Sequence, residues 1–141
     1  MIVEFVCIGN YCRSPVAEKI LNKLMPDLDC VSSGISPMPN NGMHHLSKLF
    51  LEKKGVKKLL HVPKKFNFNQ SVGEKEIICM DDVVFNKIWN KSPQLRTNLK
   101  IFTKYHQGKK IFDPLNFDEE KYELEMEKIY LVMKDWCGRL K

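Results

Sequence analysis

The sequence has no long apolar run, although apolar residues fill 43% of its 141 positions. No stretch approaches the roughly 20 consecutive apolar residues that span a bilayer. The first six residues include an acid and have no basic flank, which argues against a secretory signal peptide. We therefore expect a cytoplasmic protein with no membrane partner.

Cysteines are few, odd in number and widely spaced, at Cys7, Cys12, Cys30, Cys79 and Cys137. Without a secretory signal, this distribution predicts free thiols and excludes a disulfide framework. The cysteines and the four histidines nowhere show the paired spacing of a structural zinc site, so we predict no metal. His44 and His45 are adjacent, and neighbours on a helix diverge by about 100°, which favours helix-surface or capping roles over chelation.

The net charge is +6, and part of the excess lies in lysine pairs such as Lys57-Lys58 and Lys64-Lys65. These pairs fit a solvated basic surface or, alternatively, the steering of an anionic substrate. Nucleic-acid binding would need this charge interleaved with aromatic residues or set in a known motif. Because neither is present, we predict no nucleic-acid partner.

Short runs typical of strands alternate with segments of helical period, which predicts βα units around a parallel sheet. The predicted strands are residues 2–6, 30–32, 77–80 and 99–102. The predicted helices run from residue 15 to about 25, from the region of 46 to about 55, through 84–89, and along an apolar stripe from Tyr122 to Leu140. No repeat or long linker divides the chain, so we expect one domain over residues 1–141.

A loop of the form Cys7-x5-Arg13-Ser14 lies between the first predicted strand and helix. Such a loop can curl so that its backbone N–H groups point inward around a phosphate, and the following helix presents its positive end there. Gly9 and Asn10 tolerate the left-handed backbone that this curl requires. The predicted phosphate-binding residues are Ile8, Gly9, Asn10, Tyr11, Cys12, Arg13 and Ser14.

The same loop predicts a nucleophile. Inward amides, a helix N-terminus and the Arg13 guanidinium favour the thiolate of Cys7, which is the reactive form of the side chain. Arg13 offers a planar fork for two phosphoryl oxygens, and Ser14 can donate a hydrogen bond to the sulfur. Phosphoryl transfer needs an in-line nucleophile and stabilisation of the equatorial oxygens, and this loop offers both without a metal.

Residues 6–15 resemble the active-site signature of the low-molecular-weight protein tyrosine phosphatases, and the likeness extends over nearly the whole chain. The other matching segments are residues 31–34, Gly55 with His61-Val62, residues 78–81 and Asp113-Pro114. Membership implies a three-layer α/β domain, with a four-stranded parallel sheet and helices on both faces. It also implies catalysis without a cofactor, through a cysteinyl-phosphate intermediate.

The resemblance also implies the substrate class. We expect a phosphotyrosine protein or a small aryl phosphate, with inorganic phosphate as the product and as a competitive ligand, and a monomer or weak homodimer. Ile8 is bulky and apolar, which favours a flat aryl ester over a phosphoarginine-type substrate. Many relatives follow the Asp-Pro pair with aromatic residues, whereas Leu115 and Asn116 follow it here. Aromatic side chains return only at Phe117 and Tyr122, so the preference for phosphotyrosine is less secure than the chemistry.

Asp113 matches the general acid of the family. A carboxylic acid over the phosphate can give a proton to the leaving phenolate and later accept one from water. Pro114 restricts the backbone of Asp113 and so helps to fix its direction.

Further residues match a network that supports the loop. Asn10, Ser14, Ser32 and His61 resemble its members, and adjacent Ser33 is an alternative to Ser32. Glu18 and Asp81 stand where the family places carboxylates that favour a charged histidine. Cys12 is either a buried thiol or the partner of Cys7 in a reversible disulfide that would protect the nucleophile.

Two other functions fit parts of the pattern. A thiol-coupled arsenate reductase on the same fold would need further cysteines as a relay, and only Cys79 and Cys137 are available. A non-catalytic phosphoprotein-binding module would be free to lose Cys7, Arg13 or Asp113, and all three are present.

Overall fold

The computed structural model describes residues 1–39, 42–71, 73–102 and 110–140, and the side chains of all these except 139 and 140. The strands are β1 (Ile2–Cys7), β2 (Asp29–Gly34), β3 (Lys75–Cys79) and β4 (Leu99–Ile101). The helices are α1 (Arg13–Leu24), α2 (His45–Lys53), α3 (Asp82–Lys91) and α4 (Glu119–Leu140), and a 3₁₀ helix spans Pro93–Asn98. The predicted order of strands and helices is confirmed, and α1 begins two residues earlier than predicted.

The four strands form one parallel sheet in the order β2-β1-β3-β4. This arrangement confirms the predicted sheet. Phe5 of β1 is in register with Ser32 of β2 on one side and with Ile78 of β3 on the other. Because β1 is central and ends at Cys7, the loop that follows emerges at the carboxyl edge of the sheet, where ligands bind in open α/β folds.

Helices cover both faces of the sheet. Val3 and Phe5 point toward a core shared with α1, α2 and α4, whereas Val6 points to the opposite face, where it packs with Val84 and Ile88 of α3. This alternation follows from the period of two along a strand. The apolar stripe of α4 supplies buried residues to the first core, including Met126.

The two adjacent histidines lie at the start of α2. His44 caps the helix, since its Nδ1 accepts a hydrogen bond of 3.1 Å from the backbone amide of Leu46. The predicted capping role is therefore confirmed. Within the described part of the chain, no helix is both long and apolar enough to cross a membrane.

Candidate active site

The loop between β1 and α1 is short, because β1 ends at Cys7 and α1 begins at Arg13. Asn10 has a φ of 49°, a left-handed conformation that asparagine tolerates better than most residues. A Cβ on Gly34 would lie 2.7 Å from the backbone of both Ile8 and Asn10. Only glycine therefore allows the end of β2 to support this curl, a role that sequence analysis did not assign.

Cys7 lies at the bottom of the curl and is almost fully buried. Its Sγ is 2.9 Å from the Oγ of Ser14 in the first turn of α1. The Oγ of Ser14 also accepts a hydrogen bond of 2.9 Å from Nδ2 of Asn10. The hydroxyl of Ser14 is therefore within hydrogen-bond distance of two acceptors, the sulfur of Cys7 and, at 3.4 Å, the carbonyl of Ser33, and its donation to the sulfur stays a prediction.

Arg13 is only 1% exposed, which excludes a surface role. Its Nη1 donates to the carbonyl of Ile111 at 2.9 Å, and its Nη2 lies 2.8 Å from Oδ2 of Asp81. Burial alone would lower the pKa of Arg13, but electrostatic interactions with Cys7, Asp81 and Asp113 outweigh it and raise the pKa. The guanidinium thus stays charged beside the thiol.

Asn10 joins the loop to its surroundings through both ends of its amide. Nδ2 donates to the hydroxyls of Ser14 and Ser32, each at 2.9 Å, and Oδ1 accepts from the backbone amide of Lys64 at 2.9 Å. The carbonyl of Asn10 lies 2.7 Å from Nε2 of His61. The structure therefore brings together the predicted supporting residues Asn10, Ser14, Ser32 and His61.

The structure also distinguishes the two candidate serines. The hydroxyl of Ser32 donates to Oε1 of Glu18 at 2.7 Å while it accepts from Asn10. The side chain of Ser33 points to the other face of the sheet, where it donates to Glu4. Ser32 is the serine that reaches the loop.

Of the two predicted carboxylates, Glu18 favours a charged His61 through its negative charge, whereas Asp81 does not act on the histidine. Asp81 contacts Arg13, and Glu18 contacts Ser32. Burial is the largest influence on His61 and lowers its pKa, although the Asn10 carbonyl and the charge of Glu18 oppose it. Burial outweighs both influences, so the net shift is toward the neutral ring and not toward the expected charged histidine.

Asp113 lies on the segment between β4 and α4 and lines the same pocket as Cys7 and Arg13. Its Oδ1 accepts from the backbone amide of Leu115 at 3.2 Å. The residue is exposed to solvent. The loop and this acid, about 100 residues apart in sequence, meet at one cavity of about 70 Å³.

The mouth of this cavity is mainly apolar. Ile8, Tyr11, Met38 and Leu115 line it. Tyr122 does not, because its ring is buried in the core and its hydroxyl is 2.6 Å from Oγ of Ser47. Met38 and its neighbour Ser36 were not predicted, since nothing in their local sequence marks them as pocket residues.

The remaining cysteines are buried, free thiols. Burial raises the pKa of Cys12 to about 12, so this thiol stays neutral, and a Cys7–Cys12 disulfide remains a prediction. Burial likewise raises the pKa of Cys79, which lies inside β3. Within residues 1–39, 42–71, 73–102 and 110–140, no group of three His, Cys, Asp or Glu side chains is placed to hold a metal ion.

This arrangement, a thiol, a guanidinium and a carboxyl group around a small cavity at the edge of a parallel sheet, is typical of α/β thiol phosphatases. The family model described as low molecular weight phosphotyrosine protein phosphatase matches residues 2–141. The chain therefore belongs to this family of hydrolases.

Relatives in the family support this assignment. The chain is 31% identical to the low molecular weight protein-tyrosine-phosphatase Ptp of Acinetobacter johnsonii, over 96% of this chain and 94% of that protein. It is 26% identical to a putative low molecular weight protein-tyrosine-phosphatase of Klebsiella pneumoniae, over 99% of this chain and 96% of that one.

Solved structures share the fold. The tyrosine phosphatase Wzb from Escherichia coli K30, in complex with sulphate, superposes with a TM-score of 0.90 at 23% identity, covering 99% of this chain and 98% of that one. The YwlE arginine phosphatase from Geobacillus stearothermophilus gives a TM-score of 0.83 at 22% identity, covering 99% and 92%. The fold is therefore shared by proteins named for different phosphorylated residues.

Proposed function

We propose that this protein hydrolyses aryl phosphate monoesters, with phosphotyrosine in proteins as its substrate class, through a phosphorylated cysteine. One observation carries the proposal. The Cys7 thiol lies at the N-terminus of α1, 2.9 Å from the Ser14 hydroxyl, in a cavity that Arg13 and Asp113 also line.

In the first step, Sγ of Cys7 attacks phosphorus in line with the ester oxygen, so that an S–P bond forms as the P–O bond breaks. The inward amides of the loop and Arg13 hold the equatorial oxygens and stabilise their charge. Asp113, protonated at this stage, gives its proton to the departing phenolate oxygen.

In the second step, a water molecule attacks the cysteinyl phosphate, and Asp113 accepts the proton that the water loses. The S–P bond breaks and its electron pair returns to sulfur. The Ser14 hydroxyl donates a hydrogen bond to the sulfur, which makes the thiolate a better leaving group. Inorganic phosphate is released, and it competes with the substrate for the same cavity.

The mouth of the cavity supports an aryl substrate. Ile8, Tyr11, Met38 and Leu115 offer an apolar wall against which a phenyl ring can pack. Ptp of Acinetobacter johnsonii is named a tyrosine phosphatase, and Wzb from Vibrio vulnificus has been solved with benzylphosphonate, which carries a phenyl ring. Bulky, apolar Ile8 beside the nucleophile favours a ring over a charged phosphoarginine side chain.

The proposal is tested with para-nitrophenyl phosphate, with and without a chelator. We expect activity that the chelator leaves unchanged and that Cys7→Ser abolishes. Cys30→Ser is the matched control, because Cys30 is buried in β2 and does not line the cavity. Equal rates for phosphoserine and phosphotyrosine peptides would contradict the proposed substrate class.

The arsenate reductase alternative is not favoured by the geometry. Cys79 is fully buried, and it packs with Val6 and Ile77 on the face of the sheet opposite the first core. A relay thiol must reach Cys7 and then a reductant in solution, and Cys79 would have to leave the sheet to do so. A module that only binds phosphoproteins is disfavoured because thiol, guanidinium and acid share one cavity.

A further inference from the structure

The segment of residues 57–65, between α2 and β3, has an exposure pattern typical of an edge strand. The segment lies outside the helices and named strands, yet the side chains of its middle residues are alternately exposed to solvent and at least partly buried. The exposed residues are Lys58, Leu60, Val62 and Lys64, and those between them, Leu59, His61 and Pro63, are partly or fully buried.

The exposed face of this segment is apolar in its middle. Leu60 is 88% exposed and Val62 is 52% exposed, which is unusual for two large apolar side chains two residues apart. They border a shallow concavity of about 610 Å³, whose floor includes Met43 and Leu59. Among the residues that the structure describes, no acidic side chain lines this concavity.

The ends of the segment carry uncompensated positive charge. Lys57, Lys58, Lys64 and Lys65 are exposed, and none of them lies within 4.0 Å of a described carboxylate. The lysines at the end of α2 differ, because Lys53 and the following Lys54 each pair with a glutamate of α4. The charge of residues 57–65 is therefore available to an external anion.

The backbone of the segment is also available. Between residues 57 and 62, no amide donates a hydrogen bond to any described residue. Just beyond, Lys64 and Phe66 bond through their backbones to Gly34 at the end of β2, so the segment is held beside the sheet. Unpaired amides beside a sheet are what β-strand addition requires.

We propose that residues 57–65 form a docking site for an extended acidic segment of a partner protein. In the partner's segment, carboxylates flank two apolar side chains. These apolar side chains lie opposite Leu60 and Val62 when the two strands pair. An anionic membrane surface would also attract the lysines, but it does not offer the row of alternating backbone donors and acceptors that pairs with a strand. The proposal goes beyond the phosphatase reaction, since docking requires no phosphate.

The site adjoins the catalytic loop. The buried face of the segment supplies His61, which contacts the carbonyl of Asn10, and the amide of Lys64, which contacts its side chain. A partner bound here is therefore held next to the loop that carries Cys7.

The test uses a fluorescent peptide without tyrosine, Glu-Thr-Val-Thr-Ile-Thr-Glu, whose affinity is measured by anisotropy. We expect saturable binding that weakens with salt and that slows hydrogen exchange at the amides of residues 57–62. Lys57→Glu/Lys58→Glu and, separately, Leu60→Ser should each weaken binding by about tenfold. Because the peptide cannot enter the phosphate pocket, its failure to bind would leave the phosphatase proposal untouched.

Matched controls separate this site from general charge attraction. The double variant Lys87→Glu/Lys121→Glu changes the net charge by the same amount as Lys57→Glu/Lys58→Glu, but at exposed positions outside residues 57–65. This variant should bind the peptide as the wild type does. All variants should keep their turnover of para-nitrophenyl phosphate, which shows that they are folded. Two results would overturn the proposal. One is equal binding of a peptide with lysine in place of glutamate, and the other is binding to phosphatidylglycerol vesicles without binding to the peptide.

Discussion

The pocket has two parts that differ in how they are held. Its floor includes Cys7 and Arg13, which are buried and which, together with Asn10 and Ser14 behind them, are bonded to several elements. Its rim consists of apolar side chains at the solvent boundary, namely Ile8, Tyr11, Met38 and Leu115. The floor is fixed by hydrogen bonds with defined directions, whereas the rim is fixed mainly by packing.

The difference has an energetic reason. A buried polar atom that loses its partner leaves an unsatisfied group, which costs about 1–3 kcal/mol, more if the group is charged. A change in an exposed apolar side chain alters contact area with much smaller consequences for folding. We therefore expect substitutions in the floor to affect chemistry and stability together, and substitutions in the rim to affect substrate recognition alone.

The largest effect is expected from Arg13→Lys, which tests the floor. Lysine keeps the charge but loses the planar group whose two terminal nitrogens contact Ile111 and Asp81, and with it the proposed bidentate contact to the phosphate. We expect kcat/KM for para-nitrophenyl phosphate to fall by about a thousandfold. Arg96→Lys, at an exposed site, is the control and should retain full activity. An unimpaired Arg13→Lys enzyme would show that the fork is dispensable.

The next effect concerns Asp113, which belongs to neither part because it is exposed yet proposed to act in the reaction. Asp113→Asn should lower kcat by about a hundredfold, with a greater loss for substrates whose phenol is a weaker acid. Asp27→Asn, at an exposed turn, should change nothing. A loss that does not depend on the leaving group would argue against proton donation.

A smaller effect is expected from the serines of β2. Ser32→Ala removes a partner of Asn10, so activity should fall by about tenfold. Ser33→Ala removes a partner of Glu4 on the other face of the sheet, and it should reduce stability while activity is kept. Thermal unfolding and kinetics of both variants separate the two roles, and identical behaviour would contradict the assignment of Ser32 to the loop.

The rim should respond differently. Leu115→Tyr restores a ring beside the cavity, and we expect KM for phosphotyrosine peptides to fall by a few-fold, about 1 kcal/mol, with little change in kcat. Unfolding should be unaffected. If kcat changed as strongly as KM, the rim would be part of the chemistry and the distinction between rim and floor would fail.

The smallest effect concerns stability and pH. Burial is the largest influence on both His61 and His44 and lowers the pKa of each from its ordinary value of 6.5. Below pH 6.5 the unfolded chain takes up protons that the folded protein resists, so stability should fall as the pH is lowered through that value. Urea unfolding between pH 7.5 and about pH 5.5, above the range where carboxylates titrate, measures this slope. His61→Gln should make the dependence of stability on pH shallower. A slope of zero in the wild type would contradict the predicted role of the histidines.

Local patterns predicted much of this molecule. The alternation of strands and helices, the loop after β1 and the capping position of His44 are confirmed, because each depends on residues that are neighbours in sequence. Asp81 was assigned to the wrong partner, and Gly34, Ser36 and Met38 received no role. These errors and omissions share a cause, since the contacts of these residues join segments that lie far apart along the chain.

The sequence by itself determined the order of elements and the curled loop between Cys7 and Arg13, because periodicity and the backbone preference of asparagine act locally. Only the tertiary structure decided that Arg13 pairs with Asp81, that Ser32 supports Asn10 and that Asp113 reaches the same cavity. Such contacts depend on which strand carries each residue to the edge of the sheet and on which face its side chain points. A shift of one residue in β2 would have exchanged Ser32 and Ser33.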